Sequence, residues 1–256
     1  MKKVTVFMGS PRKQATFRAV QEFEKNLKAY GEIDLEYVFL KDYSLEYCMG
    51  CKLCFDKGEE CCPLKDDRDL LLEKLYSSDG VIFATPNYSF QVTAVMKNFL
   101  ERLAFVFHRP RFFGKAFTAV VVQGIYGGAS ILKYLDMIGG NMGFRVAKGC
   151  CLRTLEPMTE LQQEKISQQV KKAASRFYRE LMRPIPPAPS LFKLMLFRMS
   201  RTSMRLMLDE KSRDYCYYRE KGWFESDYYY AASIGIIKKS AGRFFDFLAK
   251  QMVKNR

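Results

Sequence analysis

Five of the eight cysteines lie within one stretch of fifteen residues, CMGCKLCFDKGEECC, from Cys48 to Cys62. Cys48, Cys51 and Cys54 are separated by two residues each, and Cys62 follows after seven more. Two-residue spacing lets thiolates converge on one small inorganic centre, as in the compact runs that hold iron–sulfur clusters. Zinc also accepts four thiolates, but its ribbons pair two Cys-x2-Cys knuckles across a longer gap. The spacing therefore favours a cluster over zinc, and thiols that hold no metal or form a disulfide remain an alternative.

A loop at residues 9–16, GSPRKQAT, follows a predicted strand and precedes a predicted helix. The start of a helix presents unpaired N–H groups and partial positive charge, which suit a phosphate. Ser10 and Thr16 add hydroxyls, and Arg12 and Lys13 add charge. The loop lacks the Gly-x4-Gly-Lys-Ser/Thr pattern of nucleotide triphosphate sites and the Gly-x-Gly-x-x-Gly dinucleotide pattern. Taken alone, a phosphate site and an ordinary capped turn are equally good interpretations.

Two further loops, at 85–90 and 124–130, also follow predicted strands and combine aromatic, polar and glycine residues. A flat heteroaromatic ligand could stack on an aromatic ring there, and glycine lets backbone N–H groups approach it closely. Ordinary half-buried aromatics are the alternative. The candidate residues of these loops are Pro86, Asn87, Tyr88, Ser89, Phe90, Gly124, Tyr126, Gly127 and Gly128.

Strand and helix patterns alternate along the first 182 residues, which predicts a parallel sheet covered on both faces. Such sheets bind ligands at the carboxyl ends of their strands, where the three loops and the cysteine segment would lie. The predicted strands are 4–8, 33–40, 80–85, 115–123 and 144–152, and the predicted helices are 16–30, 66–77, 92–107, 131–139 and 156–182.

A proline-rich stretch, RPIPPAPS at 183–190, marks a predicted boundary. It separates a domain at 1–182, which carries the cysteine loop 48–62, from a basic, aromatic-rich helical C-terminal extension at 183–256. The net charge of +14 is concentrated near this extension, because residues 171–256 hold 19 Lys and Arg against 8 Asp and Glu. Such asymmetry indicates a separate role for the extension.

Residues 191–208 combine apolar bulk with Arg198, Arg201 and Arg205 along one helical face. We expect this helix to pack on its own domain or on a second subunit, with its arginines in water. Peripheral contact with an anionic membrane is an alternative that the pattern favours less. An acidic electron-transfer protein such as ferredoxin would be attracted to the charge. Nucleic acid is not expected, because no recognised binding motif accompanies the aromatic residues.

The ordered set GSPR-x3-Thr, Cys-x2-Cys-x2-Cys, Cys-x3-Asp-Asp and TPNY followed by KNFLER carries a family resemblance. It resembles the flavodoxin-like NADPH-dependent FMN reductase family, and within that family it is most similar to the iron–sulfur flavoproteins. The resemblance covers roughly residues 1–180. It implies a flavodoxin-like three-layer fold, in which a five-stranded parallel sheet has helices on both faces, and one bound FMN.

The resemblance also implies roles for the candidate residues. Ser10, Arg12, Lys13 and Thr16 would hold the FMN phosphate, and the residues of the loops at 85–90 and 124–130 would flank its ring. The chain departs from many relatives at Lys13-Gln14-Ala15, where they have small polar residues. A 4Fe-4S cluster would lie near the FMN, with Cys48, Cys51, Cys54 and Cys62 as ligands. Cys62 stands four residues before Asp66, as the family pattern requires, and Cys61 would be a spare.

The function that follows is an FMN-dependent oxidoreductase that passes electrons between FMN and a cluster, with NAD(P)H or a ferredoxin as donor. A cluster-free NAD(P)H-dependent FMN or quinone reductase is the first alternative. A non-catalytic flavodoxin-like module, recruited to a membrane or protein by its basic extension, is the second. No general acid or base is expected, and the single histidine, His108, is interpreted as a surface residue. By resemblance we expect a homodimer or homotetramer.

A cytoplasmic location is expected on two grounds. The first residues, MKKVTVFMGSPRK, do not form a secretory signal. No stretch approaches the roughly 20 apolar residues of a membrane-spanning helix.

Overall fold

The computed structural model describes residues 1–255, which divide into two units. The first unit comprises Met1–Met49 and Lys65–Pro184, and the second comprises Gly50–Leu64 and the chain from Ile185 onward. Most of the cysteine segment thus belongs to the second unit, whereas the predicted boundaries assign it to the N-terminal domain.

A parallel sheet forms the centre of the first unit. Its strands are β1 (Lys2–Met8), β2 (Ile33–Phe39), β3 (Gly80–Pro86), β4 (Ala116–Gln123), β5 (Arg145–Val146) and β6 (Cys150–Arg153). The order is β2-β1-β3-β4-β5, and β6 also pairs with β4. Strands β3 and β4 are buried along nearly their whole length, as expected for central parallel strands covered on both faces. This is the strand order of flavodoxin-like folds, so the predicted fold is confirmed.

Helices lie between successive strands from β1 to β5, and a further helix follows β6. They are α1 (Ala15–Lys28), α3 (Arg68–Ser77), α4 (Ala94–Arg102), α5 (Ala104–His108), α6 (Gly128–Asn141) and α7 (Glu160–Leu181), with a short 3-10 turn at Leu40–Asp42. On one face of the sheet, Val20 and Phe23 of α1 pack with Phe177 of α7 in a common core. Burial of these side chains holds α1 and α7 against the strands.

Two predicted elements differ from the structure. The predicted helix 92–107 is two helices, α4 and α5, that meet at Leu103. The predicted strand 144–152 is the two short strands β5 and β6. Between them, Gly149 lies so close to β4 that a Cβ there would be 1.9 Å from the carbonyl oxygen of Ala119.

The second unit is helical. Its elements are α2 (Leu53–Asp56), a 3-10 turn at Glu59–Cys61, α8 (Leu191–Met207), α9 (Arg213–Glu220) and α10 (Ile236–Lys254). Helix α8 packs against α10, and α2 packs against α9. The cysteine segment is therefore part of the same packed body as the C-terminal helices.

The α8–α10 contact contains a buried ion-pair network. Asp246 of α10 accepts hydrogen bonds from Arg198 at 3.0 Å, Arg201 at 2.7 Å and Thr202 at 2.7 Å. Arg198 and Arg201 are only 7 % and 8 % exposed. The expectation that these two arginines lie in water is wrong, because they pair with Asp246 of α10, a partner that the pattern of 191–208 cannot show. Arg205 alone is exposed as expected.

Within the described residues, no helix combines the length and apolar character needed to cross a membrane.

Candidate functional site

The carboxyl ends of β1 and β3 are neighbours in the sheet, and the chain leaves them toward opposite sides. Ligands of open parallel sheets bind at such a switch point. The loops that follow the two strands are tied together, because Thr93 Oγ1 donates a hydrogen bond of 2.7 Å to the carbonyl oxygen of Gly9. Gly9 N–H in turn donates to Ala84 O at 2.8 Å. The loops at 9–14 and 87–93 therefore form one edge of the candidate site.

The loop after β1 is tightly folded. Ser10 Oγ donates to the Arg12 carbonyl at 2.8 Å and accepts from the Arg12 N–H at 3.3 Å. Ser10 and Thr16 are buried, whereas Arg12 and Lys13 are exposed. The Lys13 ammonium lies 5.1 Å from the centre of the Phe39 ring, a cation–π contact at the β2 side of the edge.

Helix α1 begins directly after this loop. Its N-cap residue, Gln14, makes no side-chain hydrogen bond to the first turn. The N–H groups of a first turn carry partial positive charge and need acceptors from outside the helix. The start of α1, with Arg12 beside it, is therefore suited to an anionic group.

The loop after β3 is a tight turn in which Tyr88 and Gln91 exchange two backbone hydrogen bonds of 3.0 Å. Ser89 and Phe90, at its centre, have φ values of 49° and 63°. Left-handed φ is unusual for residues with side chains, and such strain concentrates at ligand sites. The turn leaves Tyr88 and Phe90 exposed. It also touches the first loop, because Arg12 Nη2 donates to Tyr88 Oη at 3.1 Å.

Asn87 links the loop after β3 to the loop after β4. Its N–H donates to Val122 O at 2.7 Å, and its Nδ2 donates to Tyr126 O at 2.8 Å. Its other side-chain atom, Oδ1, is buried and has no hydrogen-bond partner among the described residues. A buried acceptor without a donor is costly, so this position suits a ligand N–H.

The glycine loop after β4 closes the other side of the edge. Gly127 has a φ of 95°, and a Cβ there would lie 2.7 Å from the Phe90 ring. Phe90 also contacts Tyr126, with ring centres 5.3 Å apart. Gly124 is exposed at the start of this loop and Gly128 is buried at its end. Glycine at 127 thus allows the two aromatic loops to approach each other.

The structure therefore brings most of the predicted site residues to one edge of the sheet. The contacts described above join Ser10, Arg12, Asn87, Tyr88, Phe90, Tyr126 and Gly127. Pro86 is the last residue of β3, and exposed Ser89 lies inside the turn. Their roles toward a ligand stay predictions.

Sequence reasoning missed three residues that shape this edge. Thr93 caps α4 and holds Gly9. Gln123 Oε1 accepts from Gly128 N–H at 2.6 Å, and Arg153 Nε donates to Ile125 O at 3.0 Å. Only Thr93 had a sequence signal, since threonine is a preferred N-cap residue.

Two aspartates of the first unit join the residues before the cysteine segment to those after it, a junction that we call the neck of the segment. Asp67 Oδ2 accepts from Ser44 N–H at 2.7 Å, and Asp66 Oδ2 accepts from Glu46 N–H at 2.9 Å. Asp66 also pairs with Arg102 at 2.8 Å, and both side chains are only 2 % exposed. The acidic pair thus holds the two ends of the segment together.

The predicted cluster ligands are divided between the units. Cys48 is an exposed residue of the first unit, whereas Cys51, Cys54 and Cys62 belong to the second. Among residues 1–255, no group of three or more Cys, His, Asp or Glu side chains is arranged to hold a metal ion. The thiolates as placed do not fit a cluster, so a cluster would require the segment to gather them.

The other cysteines lie apart from the segment in sequence. Cys150 is buried, and burial raises the pKa of its thiol to about 12. Cys151 and Cys216 are half-buried, and burial also raises the pKa of Cys151. The raised pKa keeps the Cys150 thiol protonated and unreactive near neutral pH.

The family model described as NADPH-dependent FMN reductase matches residues 2–152, which include β1 to β4 and all three loops. The chain belongs to the NADPH-dependent FMN reductase family. The predicted family is therefore confirmed, and the candidate edge lies within the matched region of this reductase-family protein.

Two iron-sulfur flavoproteins of Archaeoglobus fulgidus are similar to this family member. One is 36 % identical over 126 residues, which are 49 % of this chain and 56 % of that protein. The other is 31 % identical over 137 residues, which are 53 % of this chain and 66 % of that protein. The chain thus spans between about half and two thirds of the length of these curated relatives.

A solved structure, the apo form of the NADH:FMN oxidoreductase EMOB, has a similar fold. Its TM-score is 0.52 at 20 % identity, over 72 % of this chain and 92 % of that chain. At this identity the likeness supports the fold alone.

Proposed function

We propose that the protein is a flavin-dependent oxidoreductase that binds FMN at the shared edge of β1, β3 and β4. Family membership supports the cofactor. The observation that carries its placement is the buried Asn87 Oδ1, which lacks a donor among the described residues and lies beside the Phe90–Tyr126 aromatic pair. FMN has a ring N–H, a flat aromatic system and a phosphate, which match the groups along this edge.

The side chains of the edge have distinct tasks in this proposal. Arg12 and the first turn of α1 bind the phosphate, because both present positive charge and N–H donors. Asn87 Oδ1 accepts the ring N–H and so fixes the orientation of the ring. Phe90 and Tyr126 cover the ring and exclude water, while Gly127 lets the Phe90 side chain approach its loop closely. When bound, FMN supplies hydride acceptance and one- or two-electron transfer.

The electron donor is proposed to be NADPH or NADH, as the family's description suggests, with a ferredoxin as the alternative. The protein's own contribution is to position the donor against the flavin and to tune the flavin by hydrogen bonding. Assembly as a homodimer or homotetramer stays a prediction.

The proposal is tested by measuring FMN binding and NAD(P)H oxidation on the full chain. Asn87→Ala removes the ring acceptor, and we expect FMN affinity to fall about tenfold, the effect of one lost buried hydrogen bond. The control is Asn141→Ala, which removes an exposed amide at the end of α6 and leaves FMN affinity unchanged. A wild-type protein that neither retains flavin nor binds added FMN in calorimetry would reject the assignment.

A 4Fe-4S cluster held by Cys48, Cys51, Cys54 and Cys62 is a second part of the proposal. Its support is the two-residue spacing of three cysteines and the similarity to two iron-sulfur flavoproteins of Archaeoglobus fulgidus. No reaction step is assigned to it, because the thiolates as placed do not form a metal-binding group.

Anaerobic purification followed by iron and sulfide assays tests the cluster. About four irons and four sulfides per chain are expected. Cys51→Ser and Cys54→Ser should each abolish them, whereas Cys216→Ser should not. Flavin without iron in the wild-type protein would leave the cluster-free reductase as the function.

A further inference from the structure

The exposed face of α10 carries a stripe of large apolar side chains. Ile236 and Ile237 are 84 % and 85 % exposed, and Phe244, Phe247 and Met252 are each more than half exposed. Ile236, Phe244 and Phe247 follow helical spacing, so they lie along one side of the helix. Exposed apolar stripes of this size mark a surface that binds a protein, a membrane or a ligand.

A basic stripe runs directly beside the apolar one. Lys239, Arg243, Lys250 and Lys254 are exposed, and the first three lie on the side of the helix next to Ile236 and Phe247. Lys239 has a loose contact of 3.8 Å with Asp227. Arg243, Lys250 and Lys254 form no ion pair with any described residue. The stripe is therefore not neutralised by the second unit's own carboxylates.

Apart from Asp227, the described acidic residues of the C-terminal region do not pair with the basic stripe of α10. Residues 191–256 hold 14 Lys and Arg against 7 Asp and Glu. The single acidic residue of α10, Asp246, is on the inward side and pairs with Arg198 and Arg201. The remaining positive charge on the outer side attracts anionic partners.

We propose that this face of α10 binds the surface of an anionic lipid bilayer. A helix with an apolar stripe bordered by Lys and Arg lies in the plane of a membrane, with its apolar side chains among the acyl chains and its basic ones on the headgroups. Phe244, Phe247 and the two isoleucines would insert, while Arg243 and Lys250 would contact lipid phosphates. The inference does not rest on the flavin site.

A second copy of the chain fits this face less well. In a symmetric antiparallel pairing through the apolar stripe, the basic stripes of the two copies would lie along the same edge. Like charges there would oppose the contact. A bilayer supplies both the apolar layer and the negative charge.

Co-sedimentation of the full-length protein with vesicles tests the proposal. We expect binding to vesicles of phosphatidylcholine mixed with phosphatidylglycerol and at least tenfold weaker binding to phosphatidylcholine alone. Raising the salt from roughly 0.1 M to roughly 1 M should weaken binding, because it shortens the Debye length from about 10 Å to about 3 Å.

Two paired variants separate the two stripes. Phe244→Ser with Phe247→Ser should abolish vesicle binding, and Arg243→Gln with Lys250→Gln should weaken it by roughly tenfold or more. The matched control is Lys171→Gln with Lys172→Gln, which removes two exposed charges from α7 and should bind like wild type. Circular dichroism confirms that each variant is folded, as expected for substitutions of exposed side chains.

Three outcomes overturn the proposal. They are no binding to anionic vesicles, equal binding to both vesicle types, and equal loss in the α7 control. In the first case, sedimentation equilibrium shows whether a second copy covers the face, because self-association would then disappear in the Phe244→Ser, Phe247→Ser variant.

Discussion

Asn87 and Asp136 each have a buried side-chain oxygen without a hydrogen-bond partner among the described residues. Burying such an atom lowers the folding stability by about 1–3 kcal/mol, so its presence indicates a compensating role. At Asn87 the surrounding loops and aromatic rings form the candidate edge, and a ligand can supply the donor. Asp136 lies on α6, away from that edge in sequence. The cost of burying its carboxylate raises the pKa of Asp136.

Burial raises the pKa of Asp136 from 3.8 to about 6, although nearby Lys148 opposes the shift. A carboxyl whose pKa is raised by folding favours the folded state below its unfolded pKa, and this contribution is lost as the pH rises through about 6. Asp136→Asn removes the buried charge. We expect its unfolding free energy to exceed that of wild type by about 1 kcal/mol above pH 7, after allowing for partial solvent screening.

Urea unfolding at a series of pH values measures this difference. It should shrink as the pH falls and vanish below about pH 4, where Asp136 is neutral in both states. Glu164→Gln, which removes an exposed carboxylate from α7, should show no such pH dependence. A constant difference at all pH values would mean that charge is not the cause.

At the scale of elements, the break between β5 and β6 depends on one glycine. Gly149 packs against the backbone of β4, and a Cβ there would lie 1.9 Å from Ala119 O. Because a central strand cannot shift aside, we expect Gly149→Ala to lower the unfolding free energy by roughly 3 kcal/mol. Gly140→Ala on α6 is the control, since its Cβ would meet only Val146 at 3.9 Å. It should be neutral or stabilising by up to about 1 kcal/mol.

The neck of the cysteine segment gives a second prediction at this scale. Asp66→Ala removes the buried carboxylate that pairs with Arg102 and frees the Glu46 N–H. We expect a loss of about 3–5 kcal/mol in urea unfolding, typical of a broken buried pair. Faster proteolysis between residues 44 and 66 should accompany it.

The control for the neck is Asp42→Ala, which removes the exposed Lys41–Asp42 pair and should cost less than about 1 kcal/mol. If Asp66→Ala destabilises the protein without exposing the segment to protease, the aspartate supports the helix start alone and not the neck.

Periodicity and turn residues predicted all five sheet positions and the helices between them, because the hydrophobic pattern of each strand and helix lies within its own sequence. The break at Leu103 has no local signal, whereas Gly149 inside the predicted strand 144–152 is itself a signal of close backbone approach. The burial of Arg198 and Arg201 depends on Asp246, which lies 45 residues or more from them. Sequence alone cannot show which carboxylate such an arginine will meet.

The candidate edge was predicted in outline because parallel strands bring their following loops to one side. Asn87, Tyr88 and Phe90 could be nominated from composition. The left-handed turn at Ser89 and Phe90 could not, since neither residue favours a positive φ. The link from Thr93 to Gly9 spans 84 residues and was also invisible.

At the scale of the whole molecule, Asp246 is the centre of the second unit's helix pairing. Asp246→Ala would remove the carboxylate from the buried Arg201 and leave Arg198 with only the exposed Asp227, at a cost of about 3–5 kcal/mol to that unit. Hydrogen exchange should accelerate in α8 and α10 while amides of β1, β3 and β4 keep their protection.

Glu225→Ala is the matched control, because it removes only the exposed Arg205–Glu225 contact at 3.6 Å. It should change stability by less than about 1 kcal/mol. Loss of protection across the sheet as well in Asp246→Ala would show that both units unfold as one cooperative body.

The second unit is assembled from two separate pieces of chain, and this has a consequence for the timing of synthesis. Roughly 120 residues separate Leu64 from Ile185. At about 5–20 residues per second, synthesis of the rest of the second unit begins roughly 6–24 s after the cysteine segment. During that interval its thiols are open to oxidants, metal ions and delivery proteins. The segment therefore exists first without its packing partner, and a metal ion or cluster could be inserted before α9 is synthesised.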